Sequence, residues 1–131
     1  IDPNVAANAN DLILFENCDM NYTEDRFIRY SPFGYSTGDY SQIRFDSCTI
    51  TNSTNNSTAF IYANSKPNGY CYFKNCTITL PSTITIFDGY PTYLENIKDF
   101  TITFENSPLP SDVKLISDKF ATETSTKINI I

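Results

Sequence analysis

The feature that most constrains the fold of this chain is a short motif that occurs four times in the sequence. The copies read ILFENCDM, IRFDSCTI, CYFKNCTI and ITFENSPL, and they begin at Ile13, Ile43, Cys71 and Ile102. Their phenylalanines lie 30, 28 and 31 residues apart, at Phe15, Phe45, Phe73 and Phe104. Self-similarity at a nearly constant spacing of this size is typical of proteins whose repeats stack on one another. The motif therefore predicts columns of like residues.

The spacing inside one copy predicts two strands joined by a corner. Ile13 and Phe15 are two residues apart, as are Cys18 and Met20, so each pair faces one side of a strand. Phe15 and Cys18 are three apart, and a bend between them, at Asn17, restores the alternation. Asn enters the left-handed backbone region more readily than most residues. The four predicted corners are Asn17, Ser47, Asn75 and Asn106.

Stacking four copies predicts a buried ladder of phenylalanines and thiols. Its members are Phe15, Phe45, Phe73, Phe104, Cys18, Cys48 and Cys76, with Ser107 in place of the fourth cysteine. Parallel layers about 4.8 Å apart would bury each column against itself. The outward position before each corner predicts an exposed ladder of Glu16, Asp46, Lys74 and Glu105. The alternative interpretation is four unrelated strands in a sandwich of two antiparallel sheets.

Further strands are expected between the copies of the motif. The expected segments are 27–30, where FIRY alternates, and 59–63, 84–87, 113–116 and 127–131. Pro108 and Pro110 interrupt the pattern of the fourth copy, because proline removes a donor from the sheet. The fourth layer is therefore expected to be the least regular.

The repeated units resemble the right-handed parallel β-helix of the pectate-lyase-like superfamily. The matching F-[ED]-N-C-x-[IM] units lie at 15–20, 45–50, 73–78 and 104–109, and the resemblance covers roughly residues 12 to 118. It implies an all-β chain, a single-stranded right-handed parallel β-helix of about four coils. Residues 1–11 would be a linker or N-terminal cap strand, and residues 12–131 the β-helix domain. That superfamily includes polysaccharide lyases, glycoside hydrolases, phage tailspikes, adhesins and carbohydrate-binding surface proteins. No catalytic signature of any of these families is matched.

Composition and cysteine count narrow the classes of ligand. The net charge of −6 and the scattered Lys and Arg argue against nucleic acid, and there is no apolar run long enough to insert in a membrane. Histidine is absent and no CxxC occurs, so neither a metal nor another cofactor is predicted. Stacked free thiols are the favoured interpretation of the cysteines, with Cys71 in the isoleucine column. A bridge between Cys18 and Cys48, or between Cys48 and Cys76, is the alternative.

Two sets of side chains are candidates for function. The carboxylates near predicted turns are Asp19, Glu24, Asp25, Asp39 and Asp88, and they read as solvated turn residues rather than a catalytic pair. We therefore predict no catalytic residue, although enzymatic activity stays an open question. Tyrosine presents an apolar face with a hydroxyl, which suits sugar contacts. The loop tyrosines predicted to bind carbohydrate are Tyr35, Tyr40, Tyr90 and Tyr93.

These observations favour a non-catalytic recognition domain outside the cell or on its surface. The expected ligand is carbohydrate or another cell-surface molecule, and the expected setting is a spike, adhesin or cell-surface protein. A first alternative is a structural subunit that assembles into a fibre or sheath, because open strand edges invite end-to-end stacking or homo-oligomers. A second alternative is a fragment of a polysaccharide lyase or glycoside hydrolase whose catalytic layers lie elsewhere.

Overall fold

The computed structural model describes residues 1, 12–30, 42–54, 57–63, 69–89, 100–120 and 126–131. Twelve strands lie in these ranges, with a 3-10 helix at Asp118–Phe120 and no α-helix. The strands are β1 Leu12–Glu16, β2 Asp19–Tyr22, β3 Arg26–Tyr30, β4 Gln42–Asp46, β5 Thr49–Asn52, β6 Ala59–Ala63, β7 Gly69–Lys74, β8 Thr77–Thr79, β9 Thr85–Gly89, β10 Phe100–Glu105, β11 Lys114–Ile116 and β12 Lys127–Ile130.

The strands form three parallel sheets, of five, four and three strands. Their orders are β1-β4-β7-β10-β12, β3-β6-β9-β11 and β2-β5-β8. In the described part of the chain every pairing is parallel, and most join equivalent strands of successive copies. The prediction of an all-β fold with parallel stacking is confirmed, and the antiparallel sandwich is wrong for these strands.

The pairing keeps the motif in register from copy to copy. The phenylalanines are direct partners across β1, β4, β7 and β10, as are the residues of the isoleucine column. Consecutive rings of the column Phe15, Phe45, Phe73 and Phe104 have centroids 5.1, 4.9 and 4.8 Å apart and lie within 9° of parallel. The differences in repeat length therefore fall outside the motif, in the connections between strands.

A second aromatic stack fills the other side of the core. Phe27 and Phe60 lie 5.1 Å apart and nearly parallel, and their rings tilt against Phe45 and Phe73. Phe27 and its neighbour Ile28 are both buried, so strict alternation over 27–30 is wrong. Phe27 turns inward because it completes the stack with Phe60, while Ile28 is the register partner of Ile61.

Every corner of the motif has a left-handed backbone. The φ angles are 53°, 55°, 52° and 45° at Asn17, Ser47, Asn75 and Asn106, the positive-φ residues other than glycine in the described ranges. Each corner N–H donates to a carbonyl in the next layer, at 2.9 to 3.0 Å. The Asn106 side-chain amide also donates to Asn75 Oδ1 at 2.9 Å. Asn and Ser stand here because short polar side chains tolerate this conformation.

All four cysteines are free. The Sγ of Cys18, Cys48 and Cys76 each donates to the carbonyl two residues earlier, at 3.3 to 3.4 Å, and the Ser107 hydroxyl does the same at 2.9 Å. Side chains in parallel register lie about 4.8 Å apart, whereas bridged Cβ atoms need ~3.5–4.5 Å. The disulfide alternative is therefore not realised.

The two ends of the stack differ from its middle. In β4 and the corner that follows it, Ile43, Phe45 and Cys48 are buried, whereas their first-copy equivalents are half-buried. At the other end, β12 adds a fifth strand by pairing with β10, so that Ile128 joins the isoleucine column. Residues 107–110 of the fourth copy form no strand, where Pro108 and Pro110 lie. In the described ranges no helix has the length and hydropathy of a membrane span.

Candidate functional site

The strongest candidate site is the outer face of the five-stranded sheet. Ile43 and Phe45 of β4 and Cys71 and Phe73 of β7 point into the core, so the alternate residues point outward. In β10, Ile102 and Phe104 likewise point into the core, and Thr103 points outward but is covered and only 6% exposed. We call the outward residues of these three strands the outer face; they are Gln42, Arg44, Asp46, Tyr70, Tyr72, Lys74, Thr101, Thr103 and Glu105.

Tyr72 is held at the centre of the outer face by side chains of both neighbouring strands. The guanidinium carbon of Arg44 on β4 lies 5.2 Å from the centroid of its ring, a cation–π contact. Its hydroxyl donates a hydrogen bond to the carboxylate of Glu105 on β10. That hydrogen bond raises the pKa of Tyr72, because losing the phenol proton would remove it. The ring is therefore fixed without burial in the core.

Two ion pairs extend this network across the outer face. Arg44 Nη2 lies 3.0 Å from Asp46 Oδ2, and Lys74 Nζ lies 3.4 Å from Glu105 Oε1. The hydrogen bond from Arg44 lowers the pKa of Asp46. Those from Tyr72 and Lys74 lower the pKa of Glu105. Both carboxylates are thus ionised at neutral pH, and each is balanced by a cation of the same face.

Tyr70 lies beside Tyr72 and is less constrained. The two ring centroids are 6.1 Å apart with a 31° tilt, and the Tyr70 side chain is half-buried. Burial raises the pKa of Tyr70, so its hydroxyl keeps its proton. Among the described residues, the Tyr70 hydroxyl makes no hydrogen bond. Tyr70 therefore offers an aromatic surface and a free hydroxyl to a ligand.

The first strand gives the outer face an apolar margin. Leu12 and Leu14 of β1 are 53% and 44% exposed and are the register partners of Gln42 and Arg44. A ligand that covers Arg44 and Tyr72 could therefore extend over apolar side chains on one flank.

The four tyrosines predicted to bind carbohydrate, Tyr35, Tyr40, Tyr90 and Tyr93, lie outside the described residues. The carbohydrate-binding prediction did not include Tyr70 and Tyr72. The segment GYCYFK, residues 69–74, nevertheless contains a pattern that indicates on which side of the strand they lie. Cys71 and Phe73 occupy two predicted core columns, so the alternate residues of that strand must point outward.

Two of the candidate carboxylates have structural partners in neighbouring layers. Asp25 accepts hydrogen bonds from the Thr58 N–H at 2.9 Å and the Thr58 hydroxyl at 2.7 Å. Burial opposes ionisation there, yet these hydrogen bonds lower the pKa of Asp25. Asp88 accepts from the Gly89 N–H at 2.8 Å and pairs with Lys119 at 3.4 Å. Asp39 lies outside the described residues.

Two cavities lined by described residues open at the first-copy end of the stack. One, of about 410 Å³, is lined by residues that include Phe15, Met20, Tyr22 and Phe27. The other, of about 330 Å³, is lined by Ile1, Glu24, Asp25, Arg26 and Arg29. Across the described ranges, no group of three or more His, Cys, Asp or Glu side chains is placed to hold a metal ion.

Comparison of the chain with protein-family models, with curated proteins and with solved structures finds no match.

Proposed function

We propose that the chain is a right-handed parallel β-helix domain, extracellular or displayed on a cell surface, that recognises carbohydrate without catalysing a reaction. The handedness rests on a general rule: parallel strands of one sheet joined by a crossover are right-handed in roughly 98% of cases. In each of the three sheets, neighbouring parallel strands are separated in sequence by at least one strand of another sheet. An acidic chain, with 9 Lys and Arg against 15 Asp and Glu, fits a protein that does not bind nucleic acid.

The observation that carries carbohydrate recognition is the clamping of Tyr72 between Arg44 and Glu105, with Tyr70 beside it. Sugars present apolar C–H faces bounded by hydroxyls, and tyrosine matches both features with one side chain. Side chains that are already fixed lose less conformational entropy when a ligand binds. The ion-paired groups supply donors and acceptors around the rings, which suits hydroxyls on both sides of a sugar.

A face formed by several strands of a sheet also suits a polymer better than a small molecule. Small-molecule sites are usually concave and largely enclose their ligand. The outer face lies on a sheet, and its side chains come from three strands in register, so a long glycan could contact several strands at once. The ligand we propose is therefore a polysaccharide chain rather than a free monosaccharide.

A second candidate function is self-assembly through the edges of the sheets. Leu12 and Leu14 on β1, with Ile130 on β12, are exposed hydrophobic side chains on the two edge strands of the five-stranded sheet. Exposed, apolar edge strands pair readily with another chain. Negative-stain microscopy of the purified protein tests this function, since an assembling subunit forms filaments whose length increases with concentration.

The test of recognition is a glycan array, followed by calorimetry on the best ligand with the variant Tyr70→Ala. We expect about a tenfold loss of affinity, the consequence of removing a contact worth ~1.4 kcal/mol. The matched control is Thr77→Ala, an exposed residue of the three-stranded sheet that points away from the outer face. The proposal is wrong if no glycan binds, or if Thr77→Ala weakens binding as much as Tyr70→Ala.

A further inference from the structure

We infer that the outer face selects uncharged polysaccharides, whose polar groups are hydroxyls, over polysaccharides that carry uronic acid or sulfate. This inference rests on the proposed function and names the class of glycan that the same site takes. It follows from the pairing of the charges on the five-stranded sheet and from the kind of hydrogen-bonding group that remains free.

The outward charges of the five-stranded sheet cancel. The acidic residues are Glu16, Asp46 and Glu105, and the basic residues are Arg44, Lys74 and Lys127, so three of each sign face outward on the five strands. The two cations nearest to Tyr72 are already engaged, Arg44 with Asp46 and Lys74 with Glu105. A polyanion therefore meets a face without excess positive charge, on a chain whose net charge is −6.

An anionic sugar could reach either cation only by separating it from its carboxylate. If a uronate displaced Asp46 from Arg44, the Asp46 carboxylate would be left unpaired beside a second negative charge, and the same holds for Glu105 beside Lys74. A proton would not neutralise the separated carboxylate at neutral pH, because even without its partner a carboxyl group has an ordinary pKa far below neutrality. Like charges brought together in this way disfavour the wrong ligand, which is a common source of specificity.

A neutral sugar faces no such penalty, since hydroxyls can add to the pairs without breaking them. The Arg44 guanidinium has five N–H donors, and the carboxylates of Asp46 and Glu105 retain acceptor sites after their ion pairs form. The Tyr70 hydroxyl is free among the described residues, and Tyr70 lies in register between Gln42 and Thr101. Hydrogen-bond donors and acceptors thus lie beside two aromatic rings, which matches a ligand rich in hydroxyls.

The experiment compares one polymer in two charge states. The intact chain is titrated by calorimetry with polygalacturonate, with the same polymer after its carboxyl groups are reduced to alcohols, and with a soluble neutral β-glucan. We expect at least one neutral polymer to bind, and polygalacturonate to bind about tenfold more weakly than its reduced form. Raising the ionic strength to about 1 M, where the Debye length is ~3 Å, should change the affinity for the neutral polymer less than twofold.

Variants of the paired carboxylates sharpen the test. Asp46→Asn and Glu105→Gln each release a cation, so each should increase the affinity for polygalacturonate several-fold and make it sensitive to salt. Asp19→Asn is the matched control, because it removes an exposed carboxylate from the three-stranded sheet and leaves both ion pairs intact.

The outcomes separate this inference from the proposed function. If polygalacturonate binds more tightly than its reduced form, and salt weakens that binding, the inference is overturned while carbohydrate recognition stands. The inference also fails if Asp46→Asn and Glu105→Gln leave the affinity for polygalacturonate unchanged. If neither the neutral nor the acidic polymers bind, the inference fails, and the proposed function fails with it if the glycan array also finds no ligand.

Discussion

The first and second copies of the motif place the same types of residue on the same backbone, yet their environments differ. Phe15 and Phe45 stack at 5.1 Å and 7°, but Phe45 is fully buried and Phe15 is half-buried. Cys18 and Cys48 differ in the same way. The second copy has a neighbour on both sides, and the first has a neighbour of its own kind on one side only. In a stacked protein, the contribution of a motif therefore depends on its position as much as on its sequence.

The largest expected effect is the difference between Phe45→Ala and Phe15→Ala. Phe45 contacts rings of both neighbouring copies and of Phe27, so its removal leaves a closed cavity and should lower the free energy of unfolding by about 3–5 kcal/mol. Phe15→Ala should cost roughly half as much, because water already reaches part of its site. Urea unfolding followed by circular dichroism measures both values.

The control for these variants is Leu14→Ala, which removes an exposed side chain from the same strand as Phe15. Surface substitutions of this kind usually change stability by less than about 0.5 kcal/mol. If Phe15→Ala and Phe45→Ala lowered the free energy of unfolding equally, the core of the first copy would be as well shielded from water as that of the second.

The next largest effect concerns the thiols of the same two copies. Cys48 is buried and its burial raises its pKa, whereas Cys18 is half-buried. A raised pKa leaves less thiolate at pH 8, and labelling of a buried thiol also requires local opening. Cys18 should therefore react with a thiol reagent about 100-fold faster than Cys48, which corresponds to ~2.7 kcal/mol of protection.

Tandem mass spectrometry of tryptic peptides after timed alkylation measures these rates, because fragmentation separates Cys48 from Cys71, which share the peptide 45–74. Cys71 serves as the internal reference for full protection, since it is fully buried and burial raises its pKa to about 12. The variant Cys18→Ser should abolish the fast phase alone. If Cys71 were alkylated as fast as Cys18, the result would contradict the burial of Cys71 in the core.

The left-handed backbone of the corners should cost the same in inner and outer copies. Asn17 and Asn75 have φ of 53° and 52°, so Asn17→Ala and Asn75→Ala should each destabilise the protein by about 1 kcal/mol, the order of the cost of a left-handed backbone. Asn75→Ala also removes the acceptor of the hydrogen bond from the Asn106 amide, which should add roughly a few tenths of a kcal/mol to the destabilisation. Replacement by glycine at either corner is the control and should be nearly neutral. If Asn75→Ala destabilised the protein and Asn17→Ala did not, the cost of the left-handed backbone would depend on the position of the corner in the stack.

The smallest effect is the dependence of stability on pH through Glu105. The folded state lowers its pKa, so its contribution to stability is complete above the ordinary glutamate pKa of about 4.3 and is lost as the pH falls through the lower, folded value. Glu105→Gln should therefore flatten the loss of stability at acid pH. Glu16→Gln, at the equivalent position of the first copy, is the comparison. Thermal melts between about pH 2 and pH 6 distinguish them, and identical curves for the wild type and Glu105→Gln would contradict the role of that carboxylate.

The sequence was most informative where one residue type recurs at one spacing. Four phenylalanines and four corner residues agree on a single register, and that register requires parallel strands. The partner of β12 was not predictable, because the segment lacks the phenylalanine and the corner that identify the other copies; its position follows from pairing with β10. The burial of both Phe27 and Ile28 was also missed, since it depends on Phe60, which lies 33 residues away.

The outer face was predictable only in part. Alternation places Arg44, Tyr72 and Glu105 outward, and the register makes Arg44 and Tyr72 neighbours. It pairs Tyr72 with Thr103, however, so the contact that fixes the tyrosine runs diagonally to Glu105. Such a contact depends on the length and rotamer of the side chains, which spacing does not encode.

The shared register has a consequence for how such a gene can lengthen. A tandem duplication of one unit would insert a layer whose backbone donors and acceptors find matching groups above and below, because each corner already bonds the same way to the next. The surface available to a bound polymer would then grow by about 4.8 Å per added strand. Proteins lengthened in this way could thus bind an extended polymer with higher avidity by repeating contacts that already exist.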